Sequence, residues 1–356
     1  MISPVVNARF LTQPVTGVQR HAIEISKRLR KLDPAIRFLA PRGMVHEELF
    51  AELKAERVGR LTGHGWEQLE LSRHSGPAPL IGLCNAGPLY RQRQLITLHD
   101  AAPFAVPEAY SRSFRYWYKF ASRALGQSAG IVATDSEFSR HELTERTGVP
   151  SEKIEVILLG HEHVFDNESD SSIIQRHKLD DRPYLFAVGS RSPHKNFRAL
   201  IGALNWVGDV GFRIVIAGGV SPKVHAEARV DESMPKNVCH VGFVTDGQLR
   251  ALYEHASAYV HPAYYEGFGL PPLEAMALGC PVICSRAASL PEVCGNAAVY
   301  FDPHDERALA EAILRTMKDG RLRHRLSQEG KMHAENFRWD HSAQRILQLA
   351  YKLADY

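Results

Sequence analysis

Apolar and polar positions follow one repeating pattern along most of the chain. Short runs of β-branched and aromatic residues, bounded by glycine, proline and polar residues, recur between stretches whose apolar positions have helical spacing. Such runs predict buried strands, and strands that alternate with helices predict parallel, doubly wound α/β sheets. The predicted strands are 4–10, 37–40, 80–84, 95–98, 130–134, 184–188, 213–217, 238–242, 258–261, 281–285 and 299–301, and the main predicted helices begin near residue 18 or cover 110–125, 199–207, 248–255, 273–278, 305–336 with a break near Gly320, and 339–356.

The polar segment 160–172 interrupts the pattern and divides the predicted strands into two sets. A chain of 356 residues exceeds what one hydrophobic core usually serves, so each set is expected to form a domain. The last predicted helix has a broad apolar face that needs a surface to cover. We therefore predict a first domain over 1–165, which the final helix 340–356 joins, and a second domain over 166–339.

Composition and charge narrow the classes of function. Lys and Arg number 43 against 40 Asp and Glu, an excess too small to argue for a nucleic-acid partner. The five cysteines are odd in number and form no CxxC pair, which favours buried, reduced thiols over a disulfide framework or a zinc site. The sequence shows neither a signal-peptide pattern nor an apolar run of about 20 residues, so we expect a cytoplasmic protein.

The stretch 261–279 carries the strongest candidate chemistry. It reads as the end of a buried strand, a glycine-bearing loop and a helix that two prolines start, with Glu266 and Glu274 on either side of the loop. A loop of small residues lets a ligand approach the backbone, and a helix start offers N–H groups to an anion. The alternative is that Glu274 only complements the helix dipole while Gly267 and Gly269 only turn the chain.

Other polar residues also follow predicted strands, where ligands bind in doubly wound sheets. His99 and Asp100 follow the strand 95–98, and Arg191 and Lys195 lie in the loop after 184–188. A guanidinium and an ammonium in one loop could converge on phosphate oxygens, and the alternative is that Arg191 and Lys195 are solvated surface charges. For His99 the alternative is a capped or buried structural histidine. Gly17 opens a predicted helix, which suits a phosphate, although the GxGxxG spacing is absent.

The predicted helix 110–125 interleaves arginines and a lysine with aromatic residues. Such a helix could rest on an anionic lipid surface. Its apolar positions recur at helical spacing, which favours the alternative of an ordinary amphipathic helix with its aromatic residues in the core.

Taken together, these motifs resemble those of the retaining glycosyltransferases of family 4. That family has the GT-B fold, in which two Rossmann-like domains face each other across a cleft and the last helix crosses back to the first domain. The resemblance extends over nearly the whole chain, and its most specific part is the E-x7-E signature formed by Glu266 and Glu274. The other matching segments are 16–20, a glycine loop; 97–100 and 135–139, first-domain motifs; 189–196, a diphosphate-binding loop; and 241–244, a segment whose backbone contacts the nucleotide base.

The resemblance implies a sugar donor attached to a nucleoside diphosphate and bound mainly by the second domain. Glu274 would bind the ribose, Arg191 and Lys195 would neutralise the diphosphate, and Glu266 would lie beside the donor sugar. His99 would hydrogen-bond the same sugar from the first domain, with Asp100 nearby. The implied catalytic residues are His99, Asp100 and Glu266, and the implied donor-binding residues are Gly17, Arg191, Lys195, Phe243, Val244, Gly267, Phe268, Gly269, Leu270 and Glu274.

By the same resemblance, this charge stabilisation replaces a metal, so neither a metal nor another cofactor is expected, and the sequence has no D-x-D motif. Retention is expected to proceed by front-face attack, with the leaving phosphate taking the acceptor proton. The motifs most resemble those of bacterial enzymes that transfer mannose-like or rhamnose-like residues to surface polysaccharides. A GDP-sugar donor is therefore predicted, with UDP-sugars next, and a glycan or lipid-linked oligosaccharide at the inner membrane face as acceptor.

Two other functions stay open at this point. A sugar-nucleotide 2-epimerase on the same fold needs acid and base carboxylates but no acceptor, and the context of the E-x7-E signature argues against it. The second alternative is a binding protein that has lost catalysis. Against it stands the joint presence of five candidate site residues, His99, Arg191, Lys195, Glu266 and Glu274.

Overall fold

The computed structural model describes residues 2–190, 192–208, 211–219 and 237–354. Its strands are β1 Val5–Asn7, β2 Arg37–Ala40, β3 Glu56–Arg57, β4 Leu80–Gly82, β5 Gln94–Thr97, β6 Ile131–Thr134, β7 Ile154–Val156, β8 Tyr184–Val188, β9 Arg213–Ala217, β10 Val238–Gly242, β11 Ala258–His261, β12 Val282–Ser285 and β13 Ala298–Phe301. Its helices are α1 Gly17–Leu32, α2 Glu47–Glu52, α3 Gly63–Trp66, α4 Ser72–Ser75, α5 Ala102–Ala105, α6 Arg112–Ser128, α7 Glu137–Thr147, α8 Ser172–Arg176, α9 Phe197–Val207, α10 Asp246–His255, α11 Leu270–Ala277, α12 Leu290–Cys294, α13 Glu306–Lys318, α14 Gly320–Ala334 and α15 Trp339–Lys352.

The described strands form two parallel sheets, as the alternation of strands and helices predicts. One has seven strands in the order β3-β2-β1-β4-β5-β6-β7, and the other has six in the order β10-β9-β8-β11-β12-β13. In each sheet the strand order reverses beside the first strand of that half of the chain, so both sheets are doubly wound and Rossmann-like. The predicted α/β class with two such sheets is confirmed.

Contacts divide the chain into two compact units. The first contains the residues up to Phe104, Tyr116–Gly160 and the segment from Arg338 onward, and the second contains Ala105–Arg115 and His161–Phe337. Residues 105–115, which the sequence pattern places with the first domain, thus group with the second unit. Within that unit the hydroxyl of Tyr264 donates to Glu108 (3.3 Å), and the ring of Tyr110 stacks on that of His194 at 6.1 Å.

The final helix, α15, packs on α1 in the first unit. Trp339 and Ile346 of α15 are fully buried, and Arg28 of α1 donates to Asp340 of α15 across 2.8 Å. The apolar face of α15 therefore covers a helix of the first unit, which is the surface that its sequence pattern requires.

Several element boundaries differ from the predicted ones. The predicted strand 4–10 ends at Asn7, because Arg9–Thr12 forms a 3₁₀ turn. The edge strands β3 and β7 were absent from the prediction, since two or three residues are too few to show a period. The break predicted near Gly320 within 305–336 is confirmed, because α13 ends at Lys318 and α14 begins at Gly320, where the side chain of Asp319 accepts from Leu322 N.

The core of the second unit lies between its sheet and the helices α9 and α13. Leu200 and Ala203 of α9 and Ile313 of α13 are buried against Ile214 and Val260 of the strands. This packing fixes the carboxyl ends of β8 to β13, from which the candidate site is built. No helix in the described ranges is long and apolar enough to span a membrane.

Candidate active site

Glycines end three neighbouring strands of the second unit. Gly189 N donates to Ala217 O (3.1 Å), and Gly218 N donates to Gly242 O (2.8 Å), so the three strand ends are joined by backbone hydrogen bonds. Gly218 has φ +114°, and a methyl group added to it would lie 2.2 Å from Gly189 O. A side chain is excluded there, because the backbone of Gly189 packs directly against Gly218.

The loop after β8 is held against the ends of two other strands. Asn196 adopts a left-handed conformation (φ 56°), and its amide donates to Pro262 O (3.0 Å) and Pro303 O (2.9 Å). This anchor fixes Lys195, the residue before it. Arg191, which the sequence predicts as a second phosphate ligand, lies outside the described residues.

Lys195 meets Glu266, although they are 71 positions apart in the chain. The ammonium Nζ lies 2.6 Å from Glu266 Oε2, and His261 Nε2 lies 3.3 Å from the same oxygen. Burial raises the pKa of Glu266, but the Lys195 charge and the hydrogen bond from His261 outweigh it, so the net pKa is below the ordinary value. Burial lowers the pKa of His261, which favours a neutral imidazole beside an ionised carboxylate.

Ser289, the residue before α12, holds the loop from Glu266 to Leu270 in place. The hydroxyl of Ser289 lies 2.8 Å from Glu266 O and 2.7 Å from Phe268 O. Gly269 (φ +110°) precedes α11, which begins at Leu270 rather than at the predicted prolines. The Phe268 side chain is buried and packs on Phe337 (6.0 Å), so only the backbone of Phe268 is available to a ligand.

Glu274 occupies its own buried polar cluster. Its Oε1 lies 3.0 Å from His163 Nε2, and its Oε2 accepts from the Tyr253 hydroxyl at 3.1 Å. The sequence pattern assigns no role to His163 or to Tyr253. Neither residue has a local motif that points to Glu274, because His163 is 111 positions away.

The segment after β10 presents an aromatic side chain. Phe243 is 79% exposed, and its ring covers Gly219, where an added methyl group would lie 2.4 Å from Phe243 Cε2. Val244 beside it is half-buried. This arrangement places a flat aromatic surface next to the glycine-lined strand ends of the second unit.

In the first unit, His99 is buried and both of its ring nitrogens contact acceptors. Nδ1 lies 2.7 Å from Asp135 Oδ2 and Nε2 lies 3.0 Å from Leu83 O. Both nitrogens must then donate, which makes the ring an imidazolium. Burial lowers the pKa of His99, yet the Asp135 carboxylate outweighs it and the net pKa is raised. A sugar can therefore bond this ring only if a protein contact breaks.

The other predicted residues of the first unit have simpler surroundings. Asp100 Oδ1 accepts from Ala102 N (2.9 Å) at the start of α5. Gly17 is exposed at the first turn of α1, with open space where a side chain would project. Among the described residues, no cluster of three or more His, Cys, Asp or Glu is arranged to hold a metal.

Comparison with known proteins finds a family model that matches this part of the chain. Residues 169–333, which include the glycine-ended strands, Lys195, Glu266 and Glu274, match the family model of glycosyl transferases group 1. The chain carries a glycosyl transferases group 1 domain. Its resemblance to glycosyltransferases is thereby confirmed, and so is the predicted enzyme class of a hexosyltransferase.

Relatives extend the match beyond that domain. The O-antigen chain mannosyltransferase B of Escherichia coli is 28% identical over 384 residues, which cover 97% of this chain and 99% of that protein. The O-antigen chain mannosyltransferase RfbU of Salmonella typhimurium is 27% identical, over 87% of this chain and 89% of that protein. The Anabaena protein Alr3699/HepE in complex with UDP and glucose superimposes with a TM-score of 0.75 at 17% identity, over 100% of both chains. The structural likeness supports the GT-B type of fold.

Proposed function

We propose that this glycosyltransferase moves a mannose-like or rhamnose-like residue from a GDP-sugar to a growing surface polysaccharide, with retention of configuration. The observation that carries the proposal is the contact between Lys195, in the loop after β8, and Glu266, the first residue of the E-x7-E signature, which lie 2.6 Å apart. Both similar curated proteins are mannosyltransferases of O-antigen chains, which supports the sugar and the product class. UDP-sugars are the second candidate, because the Anabaena neighbour binds UDP.

Donor binding in this proposal uses groups that the second unit already holds in place. The Lys195 ammonium and the backbone N–H groups of Gly269 and Leu270, where α11 begins, would stabilise the charge of the diphosphate. Glu274 bonds one protein donor through each oxygen, and since a carboxylate oxygen has two lone pairs, both oxygens can also accept from ribose hydroxyls. The exposed ring of Phe243 would lie against the base, and Arg191 would add a second cation to the phosphates.

The transfer step needs charge stabilisation more than a nucleophile. The bond between the sugar and the β-phosphate oxygen breaks, and the electrons stay on the diphosphate, whose charge Lys195 stabilises. The acceptor hydroxyl attacks the same face of the sugar, and its proton passes to the leaving phosphate oxygen. Glu266, kept ionised by Lys195, would stabilise the positive charge that develops on the sugar. His99 would hydrogen-bond the donor sugar once one of its present protein contacts breaks. No resident metal or cofactor takes part.

A panel of nucleoside diphosphates tests the donor. We expect GDP to raise the melting temperature more than UDP, and GDP-mannose to be consumed slowly even without acceptor. Glu274→Ala should abolish the stabilisation, whereas Glu254→Ala, which removes a carboxylate from the exposed pair Arg250–Glu254, should retain it. Stabilisation by UDP but not GDP would reverse the order of donors. If no nucleoside diphosphate binds and no nucleotide-sugar is consumed, the proposed function is wrong.

We also propose that the acceptor is a lipid-linked oligosaccharide or glycan reached at the inner face of the membrane. On α6, Tyr118 and Leu125 are buried, as expected of an amphipathic helix, but Tyr116 is 67% and Phe120 is 52% exposed one turn apart. With Arg123 nearby, these aromatic side chains suit an anionic lipid surface.

Liposome flotation tests the membrane contact. The wild type should float with vesicles that contain phosphatidylglycerol and less with pure phosphatidylcholine vesicles. The double variant Tyr116→Ser/Phe120→Ser should lose flotation, whereas Trp206→Ser, which changes an exposed aromatic residue of the second unit, should keep it. Absence of binding to both vesicle types would return α6 to the role of an ordinary amphipathic helix.

A further inference from the structure

A chain of buried hydrogen bonds leads from the second sheet to Glu266. Tyr259 and His261 are two positions apart on β11, so their side chains lie on the same face of the sheet. The Tyr259 hydroxyl is 2.9 Å from His261 Nδ1, and His261 Nε2 is 3.3 Å from Glu266 Oε2. Tyr259 is fully buried and His261 is 2% exposed, so water does not replace these contacts.

The partners determine where the proton of His261 lies. The carboxylate of Glu266 can only accept, so Nε2 must carry a proton. In a neutral imidazole, Nδ1 is then the acceptor, and the hydroxyl of Tyr259 donates to it. A buried phenol fixes the tautomer of the histidine, and the histidine presents an N–H to the carboxylate. This is the way in which outer partners orient a histidine at metal sites.

Both donors of this cluster act on one oxygen of Glu266. Lys195 and His261 contact Oε2, and within the described part of the chain no hydrogen bond to Oε1 is formed. Ser289 holds the backbone carbonyl of the same residue at 2.8 Å. The carboxylate is thereby oriented with Oε2 toward the protein and Oε1 available for a ligand.

We propose that Tyr259 and His261 are positioning residues, which set the orientation of Glu266 and so determine which carboxylate oxygen faces the donor sugar. The inference rests on the proposed function, because it takes Glu266 to lie beside that sugar. Neither residue contacts the donor. Their contribution is to hold a single geometry of Glu266, and reaction rates depend steeply on such geometry.

Tyr259→Phe is the first test, because it keeps the ring that packs on Tyr253 and Phe186 and removes only the hydroxyl. Without that donor, His261 can place its proton on either nitrogen, so part of the population presents a lone pair to Glu266. We expect kcat for hydrolysis of GDP-mannose to fall about tenfold while KM and the thermal shift with GDP stay unchanged.

Tyr184→Phe is the matched control. The Tyr184 hydroxyl is also buried in this sheet but donates to the backbone oxygen of Leu252 at 2.7 Å, away from Glu266. It should lower the melting temperature as Tyr259→Phe does and leave kcat at the wild-type value. Equal kcat values for both variants would overturn the proposal, because loss of a buried hydroxyl would then have the same effect anywhere in the sheet.

Replacement of His261 supplies the second test. In His261→Gln the side-chain amide can still donate to Glu266 and has no tautomers, whereas His261→Leu cannot donate. We expect the glutamine variant to keep much more activity than the leucine variant. In the His261→Gln background, Tyr259→Phe should reduce the activity little further, since a glutamine has no tautomers for the Tyr259 hydroxyl to select. Equal activity of the glutamine and leucine variants, or full additivity of the two changes, would refute the proposal.

The outcome also separates this inference from the proposed function. If wild-type protein consumes neither GDP-mannose nor UDP-glucose and binds neither nucleotide, the proposed function fails and takes the role of Glu266 with it. If the wild type is active and Tyr259→Phe retains wild-type kcat, only the positioning role fails.

Discussion

Removal of the Lys195 ammonium should destabilise the second unit by leaving Glu266 ionised without its main partner. At 2.6 Å the Coulomb attraction amounts to about 6 kcal/mol for an effective dielectric constant of about 20. The two side chains are only 18% and 16% exposed, so desolvation offsets much of this. Because His261 remains as a donor, we expect Lys195→Met to lower the free energy of unfolding by about 3 kcal/mol, which is the low end for breaking a buried ion pair.

Differential scanning calorimetry can measure this cost. For a unit of this size, about 3 kcal/mol corresponds to a fall of roughly 9 °C in the melting temperature. The double variant Lys195→Met/Glu266→Gln removes both charges and should recover about 2 kcal/mol of that loss. Arg250→Met is the matched control. It breaks the more exposed pair with Glu254 (2.8 Å), which should contribute less than about 1 kcal/mol.

The pH dependence gives a second readout of the same pair. Since the pKa of Glu266 is lower in the folded protein than in the unfolded chain, the resulting stability is present above the ordinary carboxylate pKa and is lost as pH falls through the folded value. Glu266→Gln should therefore flatten the acid side of the stability curve. The reasoning is refuted if Lys195→Met is no more harmful than Arg250→Met, or if the double variant shows the sum of both single effects.

Three further outcomes follow from the geometry. Gly218→Ala should lower the melting temperature by several degrees and abolish nucleotide binding, because the new methyl group would lie 2.2 Å from a backbone oxygen. The control Gly211→Ala places its methyl group in open space and should have neither effect. The pKa of His99 is raised in the folded state, so its stabilising contribution is present below pH about 6.5 and is lost as the pH rises through the folded pKa. Asp135→Asn should remove this pH-dependent loss when the melting temperature is measured as a function of pH. If the wild type and the variant show the same pH dependence, the pairing of His99 with Asp135 is contradicted. Ser289→Ala should lower the free energy of unfolding by about 1 kcal/mol and weaken the binding of GDP, measured by titration calorimetry. An unchanged affinity would show that the loop from Glu266 to Leu270 does not depend on Ser289.

The sequence by itself determined the arrangement of strands and helices and the location of the glycine-bearing loop. The periods of buried strands and amphipathic helices are local properties, so they predict parallel sheets without knowledge of the packing. The spacing of Glu266 and Glu274 around a helix start is local as well. The roles predicted for these residues in binding a nucleotide-sugar stay predictions.

Only the tertiary structure decided which partner each charged side chain has. Lys195 meets Glu266 across 71 positions, and His163 meets Glu274 across 111. The two acceptors that make His99 an imidazolium come from different strand ends. These contacts depend on strand order and register, which bring together segments far apart in the chain, and no local pattern encodes which distant side chain will arrive.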